Sequence, residues 1–347
     1  MRVELLDVHA PRWHDTVARL RHDFYHLPSY VALAAEYDGG EPTAAYAEEG
    51  DQRLLVPLVL RRGVGGMLDA TSPYGYPGPL VSGSASFVRR AWRAIRDRLR
   101  SERFVSAFLR LHPLLNPDVP EEAGVVVEHG ETVSVDLTLP REELWRQTMS
   151  GHRNEINRAV RAGHRAYFDE GWEHLATFSQ LYRATMQRHG ATGHYLFSDR
   201  YFGQLREALG DRLRLCVVDV GGAVAAAGLF AETDGIVQYH LSASDSAFSQ
   251  HRPTKLMLHF VRDWAKDRGN RRMHLGGGVG GRQDALFRFK AGFSHARHPF
   301  RTLRMVLDEA AYAAIVHAHD ATLDPHRLDG FFPLYRRPAA PVVTSAP

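Results

Sequence analysis

Residues 276–281 are glycine at every position but Val279, and the run empties onto Gln283-Asp-Ala-Leu-Phe-Arg-Phe-Lys-Ala-Gly-Phe293. Such a run predicts a loop in which backbone closely approaches a ligand, with free N–H groups able to hold an anion or oxyanion. A strand predicted over Arg271–Leu275 leads into it, and a short segment with one lysine, Lys290, follows. A lysine held among aromatic rings supplies a point charge where negative charge develops. The same spacing also describes a surface lysine on an amphipathic helix whose Leu286, Phe287 and Phe289 serve the core.

The rest of the chain has an α/β order, stated twice. In the first half, helices are predicted near Arg12–Leu20 and Pro28–Tyr37, then strands over Thr43–Glu48 and Arg53–Leu60. A loop, Ser72-Pro-Tyr-Gly-Tyr-Pro-Gly-Pro79, precedes a helix over Ser84–Arg100, where Val88, Ala91, Trp92, Ile95 and Leu99 fall at helical spacing. Strands follow at Phe104–Leu111 and Thr132–Leu139. In the second half, a helical Pro140–Ala162 leads to helices near His174–Arg188 and Asp199–Leu209, then strands over Arg212–Val220, Ala223–Glu232 and Ile236–Ser242. Gly221-Gly222 marks a hairpin turn. A helix carries Leu256, Met257, Phe260, Val261 and Trp264 on one stripe, and a last strand is predicted near Arg301–Leu307. At 347 residues the chain suits two domains, expected over 1–145 and 146–330, with a mobile Pro/Ala-rich tail over 331–347.

Hydrophobic residues at 44% and charged residues at 24% describe a soluble globular protein. The N-terminus lacks the pattern of a signal peptide, and no stretch reaches the roughly 20 apolar residues of a membrane helix, so membrane insertion is not expected. Cys216 is the sole cysteine, which excludes an internal disulfide and fits a cytoplasmic location. Arginine greatly outnumbers lysine and clusters at 89–100 and 153–165, read either as phosphate contacts or as solvated helix faces. His317-Ala-His319 has no convincing third ligand, so no metal or other cofactor is expected.

With these motifs the chain resembles the FemAB/FemX-like transferases, a branch of the GNAT acetyltransferase superfamily. The resemblance rests on Phe289-Lys-Ala-Gly-Phe293, the Ser72–Pro79 loop, Arg153-Asn-Glu-Ile-Asn-Arg-Ala159, Tyr239-His-Leu-Ser-Ala-Ser244 and Pro253-Thr-Lys255. It implies an α/β fold of two tandem GNAT-like domains with a cleft at or near their junction. It also implies transfer of an amino acid from aminoacyl-tRNA to an amine of a small-molecule or peptide acceptor, in cell-wall precursor or secondary metabolite (antibiotic) synthesis. Lys290 and Phe289 would then meet the aminoacyl end of the donor. Tyr74, Tyr76 and His240 are candidate helpers of the amine. Tyr239, Ser82, Arg153, Asn154, Lys255, Gly276, Gly277 and Gly278 are candidate binding residues. Relatives directed at peptidoglycan often carry an acid where this chain has Ser82, which argues against a carboxylate base.

The competing reading is an acyl-CoA-dependent N-acyltransferase. In ordinary GNAT enzymes a glycine-rich turn at a helix start holds the pyrophosphate, and here that place reads Gln250-His-Arg-Pro-Thr-Lys255. Pro253 lacks an N–H, and Lys255 stands where a small residue would let backbone reach phosphate. A non-catalytic tRNA- or peptide-binding module would keep the arginines without needing Lys290.

Overall fold

In the computed structural model, residues 1–63, 66–116, 118–188, 190 and 196–338 are described. The chain begins with β1 (Arg2–Leu6), α1 (Pro11–Arg19), α2 (Pro28–Asp38), β2 (Glu41–Glu49), β3 (Gln52–Arg62), β4 (Leu68–Thr71) and β5 (Leu80–Ser82). Next come α3 (Ala85–Ser101), β6 (Phe104–Arg110), β7 (Val125–Asp136), α4 (Arg141–Gln147), α5 (Ser150–Arg161) and β8 (Arg165–Phe168). Then follow α6 (Leu175–Arg188), α7 (Asp199–Leu209), β9 (Leu213–Val220), β10 (Ala223–Thr233) and β11 (Ile236–Ser244). The last elements are α8 (Pro253–Asp267), β12 (Arg272–Gly277), α9 (Ala285–Ala291), β13 (Ala296–Val306) and α10 (Glu309–His319).

The chain forms two compact units, and neither is continuous. One comprises Met1–Leu20, Ala34–Glu128 and Arg301–Pro347; the other comprises Arg21–Leu33 and His129–Phe300. This differs from the expected halves 1–145 and 146–330, for two physical reasons. Residues 21–33 are tied to the second unit by a buried polar chain. Asp23 Oδ2 accepts from Gln238 Nε2 (2.5 Å), and Gln238 Oε1 accepts from His274 Nδ1 (2.8 Å). The C-terminal end of β13 returns the chain to the first unit, pairing Thr302–Val306 antiparallel with Ser106–Arg110. The segment from 331, expected to be mobile, starts out packed: Phe332 and Leu334 are buried and Tyr335 Oη bonds Ser106 Oγ at 2.7 Å. Residues 339–347 of that tail lie outside the described residues.

In the first unit the strands run β1-β2-β3-β4-β6-β13, with β5 added on β3. All described pairs are antiparallel except β4 with β6. Helix α3 makes the crossover between the parallel strands, burying Phe87, Ala91, Trp92, Ile95 and Leu99; Ser84 caps it, accepting from Phe87 N. In the second unit the order is β7-β12-β11-β10-β9-β8, again antiparallel except β11 with β12. There α8 makes the parallel crossover. Its Leu256, Met257, Val261 and Ala265 share a core with Ile156 and Ala159 of α5 and with Val218, Phe230, Val237 and Met273 of the sheet. The strand–helix–parallel-strand step therefore occurs in both units, as the repeated α/β order predicts.

The expected helix over Pro140–Ala162 is instead α4 and α5, broken at Thr148-Met149, where Met149 is extended (φ −52°, ψ 141°). Arg153 stabilises the break: its Nη1 donates to the carbonyls of Trp145, Arg146 and Thr148 at 3.3, 3.0 and 2.6 Å. These carbonyls lie where α4 ends and its last turn runs out of N–H donors.

Candidate functional site

Lys290 lies on α9 in the second unit and is buried, at 9% exposure. Its Nζ donates to the Gly277 carbonyl at 2.7 Å and stands 5.9 Å from the centre of the Tyr239 ring. Burial pushes the ammonium down from the usual 10.5 to about 8, against the opposing pull of the Asp284 carboxylate. The buried side chain with its bond to Gly277 differs from a surface lysine. The linkage is measurable. The unfolded chain binds the Lys290 proton more tightly between about pH 8 and 10.5, so the contribution to stability rises with pH over that window. Below about 8 the buried charge is fully present and the cost is greatest. Relative to Lys290→Met, wild type is expected to gain about 2 kcal/mol between pH 7 and 9.5 by urea denaturation; parallel pH profiles would contradict the burial of the charge.

The glycine segment differs from the expected row of free N–H groups. Gly276 and Gly277 belong to β12, paired with Val133 and Thr132 beyond a bulge. In the turn that follows, Val279 N donates to Asp284 Oδ2 (2.9 Å), Gly281 N to Gly278 O (3.2 Å) and Arg282 N to Val279 O (3.3 Å). These N–H groups are engaged within the turn, and what the segment offers Lys290 is a carbonyl. Asp284 also caps α9, its Oδ1 accepting from Phe287 N at 2.9 Å. Burial would raise the Asp284 carboxyl, but the Phe287, Val279 and Leu286 N–H groups outweigh it and hold it below the usual carboxylate range. At Gly278 a Cβ would overlap both the Arg282 carbonyl oxygen and Asp284 Oδ1.

Phe289 is half-buried, and its carbonyl accepts from His152 Nε2 of α5 at 3.0 Å. The His152 ring packs against Phe293 and Phe289, with centroids 4.9 and 5.7 Å away. Neither Asp284 nor His152 was singled out in the sequence. Asp284 carried a signal, an N-cap residue type just before a helical run; His152 carried none.

Tyr239 and His240 point to different surroundings, as alternation along β11 requires. Tyr239 stacks on Phe230 (5.3 Å), bonds Ser242 Oγ through its hydroxyl and has that hydroxyl pushed up to about 12 by burial. His240 meets Phe24 edge-on at 5.1 Å, beside Tyr25 and Tyr30. Part of its surface reaches solvent, yet Nε2 is buried and burial pushes the imidazole down to about 3. Near neutrality the ring is therefore uncharged.

Of the residues expected to bind phosphate, Arg153, Arg158 and Lys255 have other partners. Arg153 is engaged at the end of α4, and Lys255 pairs with Glu155. Asn154 is exposed on α5, and Arg158 bonds the Gln250 carbonyl at 3.3 Å. On α3, Arg89 and Arg93 face Glu122 at 3.9 and 2.8 Å, Arg90 pairs with Glu49, and Arg98 with Glu102 at 2.6 Å. That cluster is an ion-paired helix face.

In the first unit, Tyr74 and Tyr76 are half-buried in the loop between β4 and β5. Asn116 braces this loop, its Nδ2 donating to Pro79 O at 2.8 Å. Ser82 ends β5 opposite Arg53, whose guanidinium faces Glu48 (3.3 Å) and Asp15 (3.8 Å). Among the described residues no group of three or more His, Cys, Asp and Glu side chains is placed to hold a metal ion. No described helix is long and apolar enough to cross a membrane.

Residues 146–290, which include α5, α8, the glycine segment and Lys290, match the acetyltransferase (GNAT) domain family. The structure of FemX superposes with a TM-score of 0.69 at 12% identity, over 91% of this chain and 100% of that one. The chain has a FemX-like GNAT fold. The C-terminal domain of a candidate lysylphosphatidylglycerol synthetase from Agrobacterium fabrum superposes on this chain at TM-score 0.56 and 16% identity, covering 88% of this chain and 93% of that one. L-PGS from Bacillus licheniformis does so at 0.55 and 13%, covering 86% and 92%. No curated protein matches the sequence. In this FemX-like frame, Lys290 is the last residue of the matched domain and sits on the helix that follows β12.

Proposed function

We propose that the protein is an aminoacyltransferase that moves an amino acid from aminoacyl-tRNA to an amine of a small-molecule or peptide acceptor, forming an amide. The observation that carries this reading is the buried Lys290 ammonium, held by one hydrogen bond to the Gly277 carbonyl in a FemX-like fold. The name of one similar structure, a lysylphosphatidylglycerol synthetase, supports an aminoacyl rather than an acetyl donor, as does the resemblance to the FemAB/FemX-like transferases.

The chemistry fits one lysine. A neutral amine attacks the ester carbon, the carbonyl oxygen becomes an oxyanion, and the bond to the ribose oxygen breaks. An ammonium has three hydrogens, and one on Lys290 goes to Gly277, leaving two for the oxyanion and the departing ribose oxygen. With its pKa at about 8, Lys290 is charged near neutrality yet able to give a proton to that oxygen and regain one from the new amide nitrogen. His240, at about 3, and Tyr239, at about 12, are poor bases at that pH.

A second reading, an acyl-CoA-dependent N-acyltransferase, is favoured by the match of residues 146–290 to the acetyltransferase domain. The start of α8 argues against it. Arg252 is left-handed there (φ 50°), Pro253 has no N–H, and Lys255 N donates to the Arg252 carbonyl at 3.0 Å. Few N–H groups remain for a pyrophosphate, and the Lys255 charge is paired with Glu155. Calorimetric titration with CoA is expected to show weak binding or none, and aminoacyl-tRNA affinity to fall with salt as phosphate contacts release counterions. Tight, saturable CoA binding would favour the second reading.

A further inference from the structure

Helix α9 spans only Ala285–Ala291, too short to hold its place by its own hydrogen bonds. Asp284 fixes its start. Its end is fixed from α5 and the residue before it: Met149 N donates to the Gly292 carbonyl at 2.7 Å, and His152 Nε2 to the Phe289 carbonyl at 3.0 Å. Because that partner is a carbonyl, Nε2 carries the hydrogen, which fixes the tautomer. A Cβ at residue 292 would lie 2.5 Å from His152 Nε2, closer than real Cβ contacts come. The glycine of Phe289-Lys-Ala-Gly-Phe293 is therefore the space that the His152 ring fills.

We propose that His152 is the positioning residue for Lys290: its bond to the Phe289 carbonyl and its ring over Gly292 set where the neighbouring ammonium lies. The inference rests on the transferase reading for its consequence, but its geometry stands apart from any substrate. Burial lowers the His152 pKa, so the ring is neutral near pH 7 with a single hydrogen to donate. The charged groups acting on it are Lys255 of α8 and Glu155 of α5, and Asp284 acts on Lys290.

The sequence holds three lysines, Lys255, Lys266 and Lys290, so ¹³C-labelled lysine gives few signals to follow by NMR. In wild type the Lys290 signal is expected to titrate at about 8. In His152→Ala it is expected to move towards the ordinary lysine value as the end of α9 loosens. Gly292→Ala, which pushes the ring aside, should shift it the same way, whereas His152→Gln, which keeps a donor, should hold it near wild type. Single-turnover transfer should drop about tenfold or more in His152→Ala with acceptor KM little changed. Should the single alanine variants not fold, His152→Ala combined with Gly292→Ala restores the packing without the donor and carries the same test. A folded variant lacking the donor whose Lys290 titration matches wild type overturns the proposal, as does His152→Gln shifting it as far as alanine. The titration uses no substrate, so its failure leaves the transferase reading standing. That reading fails separately, if wild type transfers nothing from aminoacyl-tRNA.

Discussion

Lys290→Ala is expected to leave the protein folded and to lower single-turnover transfer about 10²-fold or more, the range for losing an oxyanion-stabilising group. The loss should fall on the transfer step rather than on acceptor affinity, because the charge is needed most when the oxyanion forms. Lys290→Arg should rescue poorly. The Nζ site lies between the Gly277 carbonyl and the Tyr239 ring, where a compact ammonium fits and a planar guanidinium does not. Lys290→Met separates function from stability. It removes a buried charge while keeping most of the side-chain volume, so its stability at pH 7 should equal or exceed that of wild type while transfer is lost. Wild-type rates in a folded Lys290→Ala variant would make the lysine a strut between α9 and β12 and nothing more.

Gly278→Ala should have the second large effect. Its φ of −79° suits any residue, so the cost is steric. The added methyl would overlap the Arg282 carbonyl oxygen and the Asp284 carboxylate, both parts of the turn that starts α9. Overpacking and a weakened cap together predict a loss of about 2 kcal/mol or more. Transfer should fall with it, since Gly277, the partner of Lys290, is the adjacent residue. Gly280→Ala is the control. Gly280 has a left-handed φ of 62° but open space around its Cβ position, so only the backbone penalty of about 1 kcal/mol applies. Urea denaturation showing the two variants equally stable would refute the steric account of the turn.

Much of this was legible in the sequence because it follows from local periodicity. The stripe on α8, the apolar face of α3 and the strands β9 to β11 all have enough residues to display a period. Strands β4, β5 and β8, of three or four residues, do not. The discontinuous units were hidden because the bond from Gln238 to Asp23 joins residues far apart in sequence. The arginines of α3 were ambiguous for the same reason, their partners Glu49 and Glu122 lying outside the helix. Lys290 stood out through its motif, but its burial did not. In a chain that favours arginine so heavily, each lysine has a bonded place: Lys255 on Glu155, Lys266 on the Leu137 and Leu139 carbonyls, Lys290 on Gly277. The glycine run was read as a set of donors because glycine leaves N–H groups accessible; Asp284 and the turn's own carbonyls take those of Val279, Gly281 and Arg282 instead.

The central claim is tested most directly by mixing excess enzyme with radiolabelled aminoacyl-tRNAs, or with labelled acetyl-CoA, and a panel of small-molecule and peptide amines. The account predicts that label passes from tRNA to an amine as an amide in wild type, and fails to do so in folded Lys290→Ala. Label that stays on tRNA while acetyl-CoA is consumed with the same amines would contradict it.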